Sequence, residues 1–233
     1  MAFKKSKRLR LALSMVTKET YSLDDALHFF SEYRDQCKAK FDETVEIILK
    51  LGVNTKQSDQ VVRGAVPMPN GLGKQVRVAV FGPSEIHEDA KNFGAEVVGA
   101  EDLIEEVKNG RLDFDVCISV PNFMSKLAVL GKILGPKGLI PNPKLGTVTD
   151  DVKSAIQRVK SGQVSYKAEK GGIIHAGVGK LSFDLNALRE NILCLYGSVL
   201  AAKPQTSKGV YMQKGYLGVS EGPSIRLDLD SLK

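Results

Sequence analysis

The amino-acid sequence predicts an α+β domain with an antiparallel sheet, interrupted in the chain by an inserted α/β domain with a parallel sheet. Three observations predict it. Between Gln75 and Gly162, short apolar runs alternate with helical segments about every 20 residues, the pattern of βαβ units around a parallel sheet. On either side of that region strand-like runs outnumber helical ones and do not alternate with them, as in an antiparallel α+β fold. Glycine and proline mark the two junctions, "GAVPMPNGLG" (64–73) and "KSG" (160–162). The expected division is 1–71 plus 162–233 for the split domain and 72–161 for the inserted one. Two connections between the domains permit hinge motion but restrict its direction.

The elements follow in chain order. "MAFKKSKRLRLALS" (1–14) is basic and reads as an N-terminal arm or helix. No uninterrupted apolar region and no small-residue cleavage site follow it, which argues against secretion. Ser22 and Asp25 are placed to cap a helix over "SLDDALHFFSEYRDQ" (22–36). "KFDETVEIILKLG" (40–52) and "VVRGAVPMP" (61–69) read as strands. In the insert the strands are "QVRVAVFG" (75–82), "AEVVG" (95–99) and "FDVCISV" (114–120). Its helices are 84–94, 101–110, "NFMSKLAVLGKIL" (122–134) and 150–162, started by Ser84 and Asp150 and stopped by Gly94, Gly110 and Gly162. Beyond it, 162–170 and 171–183 are strand-like, and Asp184 caps a long helix over 185–202. The apolar face of that helix is Leu185, Leu188, Ile192, Leu195, Tyr196 and Val199. Strands over 209–220 and 224–230 close the chain.

Hydrophobic residues make up 42% of the 233 and charged residues 26%, the balance of a folded domain. No apolar run approaches the roughly 20 residues of a membrane helix, so no membrane partner is expected. Cys37, Cys117 and Cys194 are scattered and odd in number, which suggests buried thiols in a reducing cytoplasm. His28, His87 and His175 have no metal-ligand partner at helical or knuckle spacing, so no metal site is expected. The net charge is +6. All of it lies in the split domain: segments 1–71 and 162–233 each carry +3, from 12 bases against 9 acids and 9 against 6. The insert balances 12 against 12, but its acids crowd into 85–115 while 116–149 holds four lysines and no acid. A basic surplus on one domain points to a polyanionic partner.

Motifs for chemistry fail one by one. A phosphate-binding P-loop needs a glycine five residues before its Gly-Lys pair and a hydroxyl after it. "HAGVGKLS" has Ile174 and Leu181 at those places, and "GLGKQ" has Met68 and Gln75. "FGPSEIH" offers one glycine where a dinucleotide fingerprint needs three. "KILGPKGLIPNPKLG" (132–146) has the wrong spacing, and its prolines remove amide donors that a phosphate would need. The acidic pairs Asp24/Asp25, Glu105/Glu106 and Asp150/Asp151 sit in helical patterns, where adjacent carboxylates face apart and serve as caps or solvated surface. No catalytic residue and no cofactor are expected. What remains is nucleic-acid binding by the split domain. Lys40, Lys50, Arg63, Lys167, Lys170, Lys180, Lys208, Lys214 and Arg226 are available for phosphates, and Phe41, Tyr166, Phe183, Tyr211 and Tyr216 for stacking.

"KFDETVEIILKLG", "VRGAVPMPNGLGK", "ILGPKGLIPNPKLGTV" and "GIIHAGVGK" occur in this order and spacing. Together they resemble the ribosomal protein L-one family, in its bacterial form, over nearly the whole chain. The resemblance implies a split α+β domain with a Rossmann-like insert, no enzymatic activity, and a cytoplasmic, ribosome-bound protein that is monomeric when free. It implies three RNA partners: structured large-subunit rRNA of the 23S type, tRNA leaving the exit site of the ribosomal stalk, and the leader of the protein's own mRNA, whose translation it represses. It also assigns contacts. The strand after residue 39 supplies Lys40, Phe41, Thr44, Glu46 and Lys50. A loop from His175 through Gly177 and Gly179 to Lys180, with Ser182, supplies a second segment. A turn supplies Ser220, Gly222, Pro223 and Ser224. The family has methionine where this chain has Glu221, a carboxylate that phosphates would repel. Thr44 and Ser220 suit 2′-hydroxyl or base contacts, Glu46 can accept from either, and the glycines let RNA approach the backbone. Lys132, Lys137 and Lys144 are candidates for a secondary RNA contact.

Overall fold

The computed structural model describes residues 6–37 and 39–232. The chain separates into two compact units, Met1–Gly73 with Val164–Lys233, and Lys74–Gln163. The fold class matches the sequence: an antiparallel sheet in the first unit and a parallel one in the second.

In the split unit the strands are β1 (Thr44–Leu51), β2 (Arg63–Pro67), β6 (Gln163–Lys167), β7 (Ile173–Lys180), β8 (Met212–Val219) and β9 (Ser224–Leu227). The main sheet runs β7-β1-β8-β9, antiparallel throughout, while β2 and β6 pair separately. Strict alternation along β1 sends Val45, Ile47, Leu49 and Leu51 inward. Two helices cover that face, α2 (Leu23–Gln36) and α8 (Leu185–Ala201), which also pack on each other. Leu188, Ile192, Leu195, Tyr196 and Val199 of α8 are buried as its period predicts, each full burial being worth about 1.5–3 kcal/mol. Ser22 caps α2 by accepting from the Asp25 amide at 3.2 Å, and Asp184 caps α8 by accepting from the Asn186 amide at 3.1 Å. The basic N-terminal segment forms α1 (Lys7–Ser14); residues 1–5 of that arm lie outside the described residues.

The inserted unit holds the parallel strands β3 (Val78–Phe81), β4 (Val97–Gly99) and β5 (Val116–Ser119) in the order β4-β3-β5. Around them lie α3 (His87–Asn92), α4 (Glu101–Lys108) and α7 (Val152–Lys160). The three predicted stops, Gly94, Gly110 and Gly162, all take positive φ just past their helices, a backbone that glycine alone adopts without strain. Two start sites differ from expectation. Asp151, not Asp150, caps α7, accepting from the Ser154 amide at 3.1 Å. Ser84 opens a 3-10 turn, and α3 starts after it without a side-chain cap. The expected helix 122–134 is broken into short pieces, among them α5 (Met124–Leu127) and α6 (Gly131–Leu134). A 3-10 turn over Ala128–Leu130 interrupts it, and buried Phe123, Leu127, Leu130 and Leu134 hold the pieces to the core.

Burial raises three acids in these cores. The Cys117 thiol on β5 is pushed up to about 12 by burial. The Tyr211 phenol is raised to about 12 by burial and Tyr166. Tyr33 on α2 is raised to about 12 by burial and by the Glu43 carboxylate. Folding favours the protonated form of each. Their stability contribution is therefore complete below the unfolded values of 9.0 for the thiol and 10.0 for the phenols, and is lost as pH rises towards 12. Melting temperature is expected to stay level from neutral pH to about 9 and then to fall. Cys117→Ala should remove the earliest part of the decline. A melting temperature that stays level to pH 11 would contradict this assignment.

Candidate nucleic-acid interface

The face of the main sheet opposite the helices is solvent-facing, and its register fixes which side chains share it. Glu46 stands opposite Gly177 on one side and Gly218 on the other, and Gly218 pairs in turn with Ser224. This row is a trough: a single carboxylate flanked by residues without side chains. The next row along the strands is His175, Ile48, Tyr216 and Arg226. Beyond it Lys50 lies between Ile173 and Lys214.

At the other end Thr44 faces Lys180. A β-bulge puts Lys180 there. Between Val45 and Glu46 the register with β7 shifts by one residue, so Val178 and Gly179 together oppose Val45. Without the extra residue Lys180 would point inward, because side chains alternate faces. Instead its ammonium donates to the Thr44 hydroxyl at 3.0 Å and the Asp42 carbonyl at 3.3 Å. Gly179 is required in the bulge: its φ is +157°, and a Cβ would lie 2.9 Å from Leu188 and 3.0 Å from Phe183. The Val178 carbonyl is taken up by Asn191 of α8, whose amide donates to it at 2.7 Å. Asn191 is fully buried; it also donates to the Gly71 carbonyl at 3.0 Å and accepts from the Asn70 amide at 3.2 Å. Ser182 joins the same end through Asp42, its hydroxyl donating to the carboxylate at 2.7 Å.

The turn 220–223 completes this end. Its first residue is zipped to β1: Ser220 N–H donates to the Thr44 carbonyl at 3.1 Å, and Thr44 N–H to the Ser220 hydroxyl at 3.2 Å. Below it sits Glu43, a carboxylate only 1% exposed. Glu43 accepts from the buried Tyr33 hydroxyl at 3.1 Å and from the Glu221 amide at 3.2 Å, and it lies 3.6 Å from the Arg8 guanidinium. Gly222 packs directly on this group, since a Cβ there would come within 2.3 Å of Val219 and 2.8 Å of Tyr33. The Glu221 side chain turns towards α1, where Arg8 donates to its carboxylate and its carbonyl, each at 3.0 Å.

Structure thus brings Thr44, Glu46, Gly177, Lys180, Ser182, Ser220, Gly222, Pro223 and Ser224 to one end of the sheet. Phe41, half exposed, and Lys40 stand in the bend leading into β1. His175 is exposed one row further on. Lys50 is set apart, six residues from Thr44 and so roughly 20 Å along the strand, with its ammonium on the Gly171 carbonyl. The expected loop 175–180 is strand β7, an edge strand paired antiparallel with β1. Two of the stacking candidates are core residues: Tyr166 and Tyr211 are buried, their hydroxyls held by Ser198 and the Val199 carbonyl. Phe183 packs against the core, while Tyr216 lies on the open face. Lys132, Lys137 and Lys144 are exposed in the inserted unit, on α6 and in the loop and 3-10 turn after it. Among the described residues no group of three His, Cys, Asp or Glu side chains could hold a metal ion, and no helix is long and apolar enough to cross a membrane.

Glu43, Asn191 and Arg8 escape a reading of the sequence for exposed basic and polar residues. Two of them leave a signal. Glu43 falls on the inward phase of β1, and Asn191 three residues after Leu188 on the apolar stripe of α8. Each is a polar residue in a core phase, which obliges it to find partners.

Comparison with known proteins agrees with this architecture. The profile of the Ribosomal protein L1p/L10e family matches residues 33–223. The chain is 48% identical over 231 residues to the large ribosomal subunit protein uL1 of Polynucleobacter necessarius subsp. necessarius (strain STIR1), an alignment covering 99% of this chain and 98% of that protein. It is 48% identical over 229 residues to the protein of that name from Acidithiobacillus ferrooxidans (strain ATCC 53993 / BNL-5-31), with 98% of each covered. With Paraburkholderia xenovorans (strain LB400) the figure is 49% over 230 residues, again covering 98% of each. Both the profile and relatives alike over nearly their full length place the chain in one family: it belongs to the ribosomal protein L1p/L10e family.

Proposed function

We propose that this chain is a non-enzymatic, structural protein of the large ribosomal subunit in the cytoplasm, and that it holds structured rRNA on the open face of its split unit. The carrying observation is the composition of one end of that face. The Thr44, Ser220 and Ser224 hydroxyls and the Glu46 carboxylate lie around a glycine trough, with Lys180 beside them and Phe41 exposed. Hydroxyls and a carboxylate match 2′-hydroxyls and base edges, and glycines admit a bulky ribose-phosphate chain. The charge supports it, since the whole +6 surplus resides in segments 1–71 and 162–233. On this reading the free protein is a monomer. The surface then has two RNA targets of one shape, the rRNA of the stalk and the leader of the protein's own mRNA, which it represses. Mobility of the stalk assists release of deacylated tRNA from the exit site. The acid-free stretch 116–149, with Lys132, Lys137 and Lys144, supplies a secondary RNA contact.

Protein-free large-subunit rRNA titrated with the full chain tests the reading. Affinity should fall steeply with salt as phosphate contacts release counterions, and duplex DNA should compete poorly because it lacks the 2′-hydroxyl. Gly177→Phe, which fills the trough from a half-buried position on the open face, should weaken binding by about tenfold or more, ~1.4 kcal/mol, with melting temperature little changed. Full affinity in that variant, or equal competition by duplex DNA, would sink the proposal.

A further inference from the structure

We propose that Arg8 of α1 locks the 220–223 turn at the end of the RNA-binding surface, and that this lock is what lets the surface carry a carboxylate at Glu221. The inference rests on the RNA reading above. Glu221 sits next to Ser220 at the Thr44–Lys180 end of the open face, and its side chain is 60% exposed. A bare carboxylate there would repel the phosphates of any RNA lying in the trough. The structure shows it engaged: one guanidinium nitrogen of Arg8 holds both the carboxylate and the carbonyl of Glu221 at 3.0 Å. The other terminal nitrogen is buried, has no hydrogen-bond partner, and lies 3.6 Å from buried Glu43. Arg8 thus joins the first helix of the chain to the base of β1 and to the turn after β8, across 213 residues of sequence.

This placement has two consequences. The charge of Glu221 is neutralised and drawn towards α1, off the trough. The turn that presents Ser220 is also fixed, because the same guanidinium holds the Glu221 carbonyl. Arg8 acts as a positioning residue.

The test is a set of full-length variants titrated against protein-free large-subunit rRNA at several salt concentrations, with duplex DNA as reference. Arg8→Ala should weaken binding by at least about tenfold, and adding Glu221→Gln to it should recover several-fold, because the uncompensated carboxylate is gone. Glu221→Gln alone should bind as well as the natural chain or better. Melting curves report any loss of folding in the Arg8 variants, and recovery of binding on adding Glu221→Gln is a readout that a folding loss alone would not give. An Arg8→Ala loss that Glu221→Gln does not relieve would overturn the lock. A natural chain that binds duplex DNA as tightly as rRNA overturns the RNA reading, and this inference with it.

Discussion

Glu43→Ala is expected to destabilise the split unit by roughly 3–5 kcal/mol, the range for breaking a buried charge constellation by removing one partner. Glu43 is 1% exposed and gathers groups from α1, α2 and the turn after β8. The Tyr33 hydroxyl on α2 and the Glu221 amide donate to it, and Arg8 on α1 sits beside it. Alanine leaves the fully buried Tyr33 hydroxyl without an acceptor, at about 1–3 kcal/mol. It also frees the turn 220–223 and opens space under Gly222. Glu43→Gln keeps the shape and an acceptor for Tyr33, and should cost markedly less. Urea unfolding combined with hydrogen exchange at the β1 and β8 amides reads both. Because Glu43 is one cause of the raised Tyr33 phenol, after burial itself, titration of tyrosine absorbance should also find Tyr33 lowered in either variant. An alanine variant as stable as the natural chain would show that the carboxylate is not the junction described.

Asn191→Leu is expected to cost roughly 2–4 kcal/mol although it fills the same space with an apolar side chain. It strips donors from the Val178 and Gly71 carbonyls and the acceptor from the Asn70 amide. The Val178 carbonyl matters most, because it belongs to the bulge that aims Lys180 onto the open face. The expected signature is local: faster exchange of amides 176–180, and weaker rRNA binding in proportion to the loss of Lys180. Asn191→Asp tests the direction of the bonds. It keeps an acceptor for Asn70 but sets negative charge against two carbonyls, so it should be worse than leucine. Uniform destabilisation without change at 176–180 would count against this role.

Most of the fold was legible because periodicity is a local property. Alternation in 40–52 and the 3–4 spacing in 185–202 state which face each element buries, and glycines at 94, 110 and 162 mark helix ends through a backbone that other residues avoid. Misreadings arose where local signals compete. Asp150 and Asp151 are equivalent by propensity, and geometry chose the second. The run 122–134 is apolar enough for one helix, but a 3-10 turn over Ala128–Leu130 interrupts it just before Gly131. Tyr166 and Tyr211 have the chemistry of base platforms and the burial of core residues.

By itself the sequence determined the order of the elements, the division of charge between segments, the failure of every nucleotide motif, and a resemblance that the family comparison confirms. Only the tertiary structure decided which residues meet. It placed Glu46 between two glycines that each lie more than a hundred residues further along the chain, turned Lys180 outward through a bulge, and set Arg8 against Glu221. The physical reason is that antiparallel register and long-range ion pairs depend on how distant strands align. A shift of one residue reverses every side chain, and nothing in the local pattern of either strand records where that shift occurs.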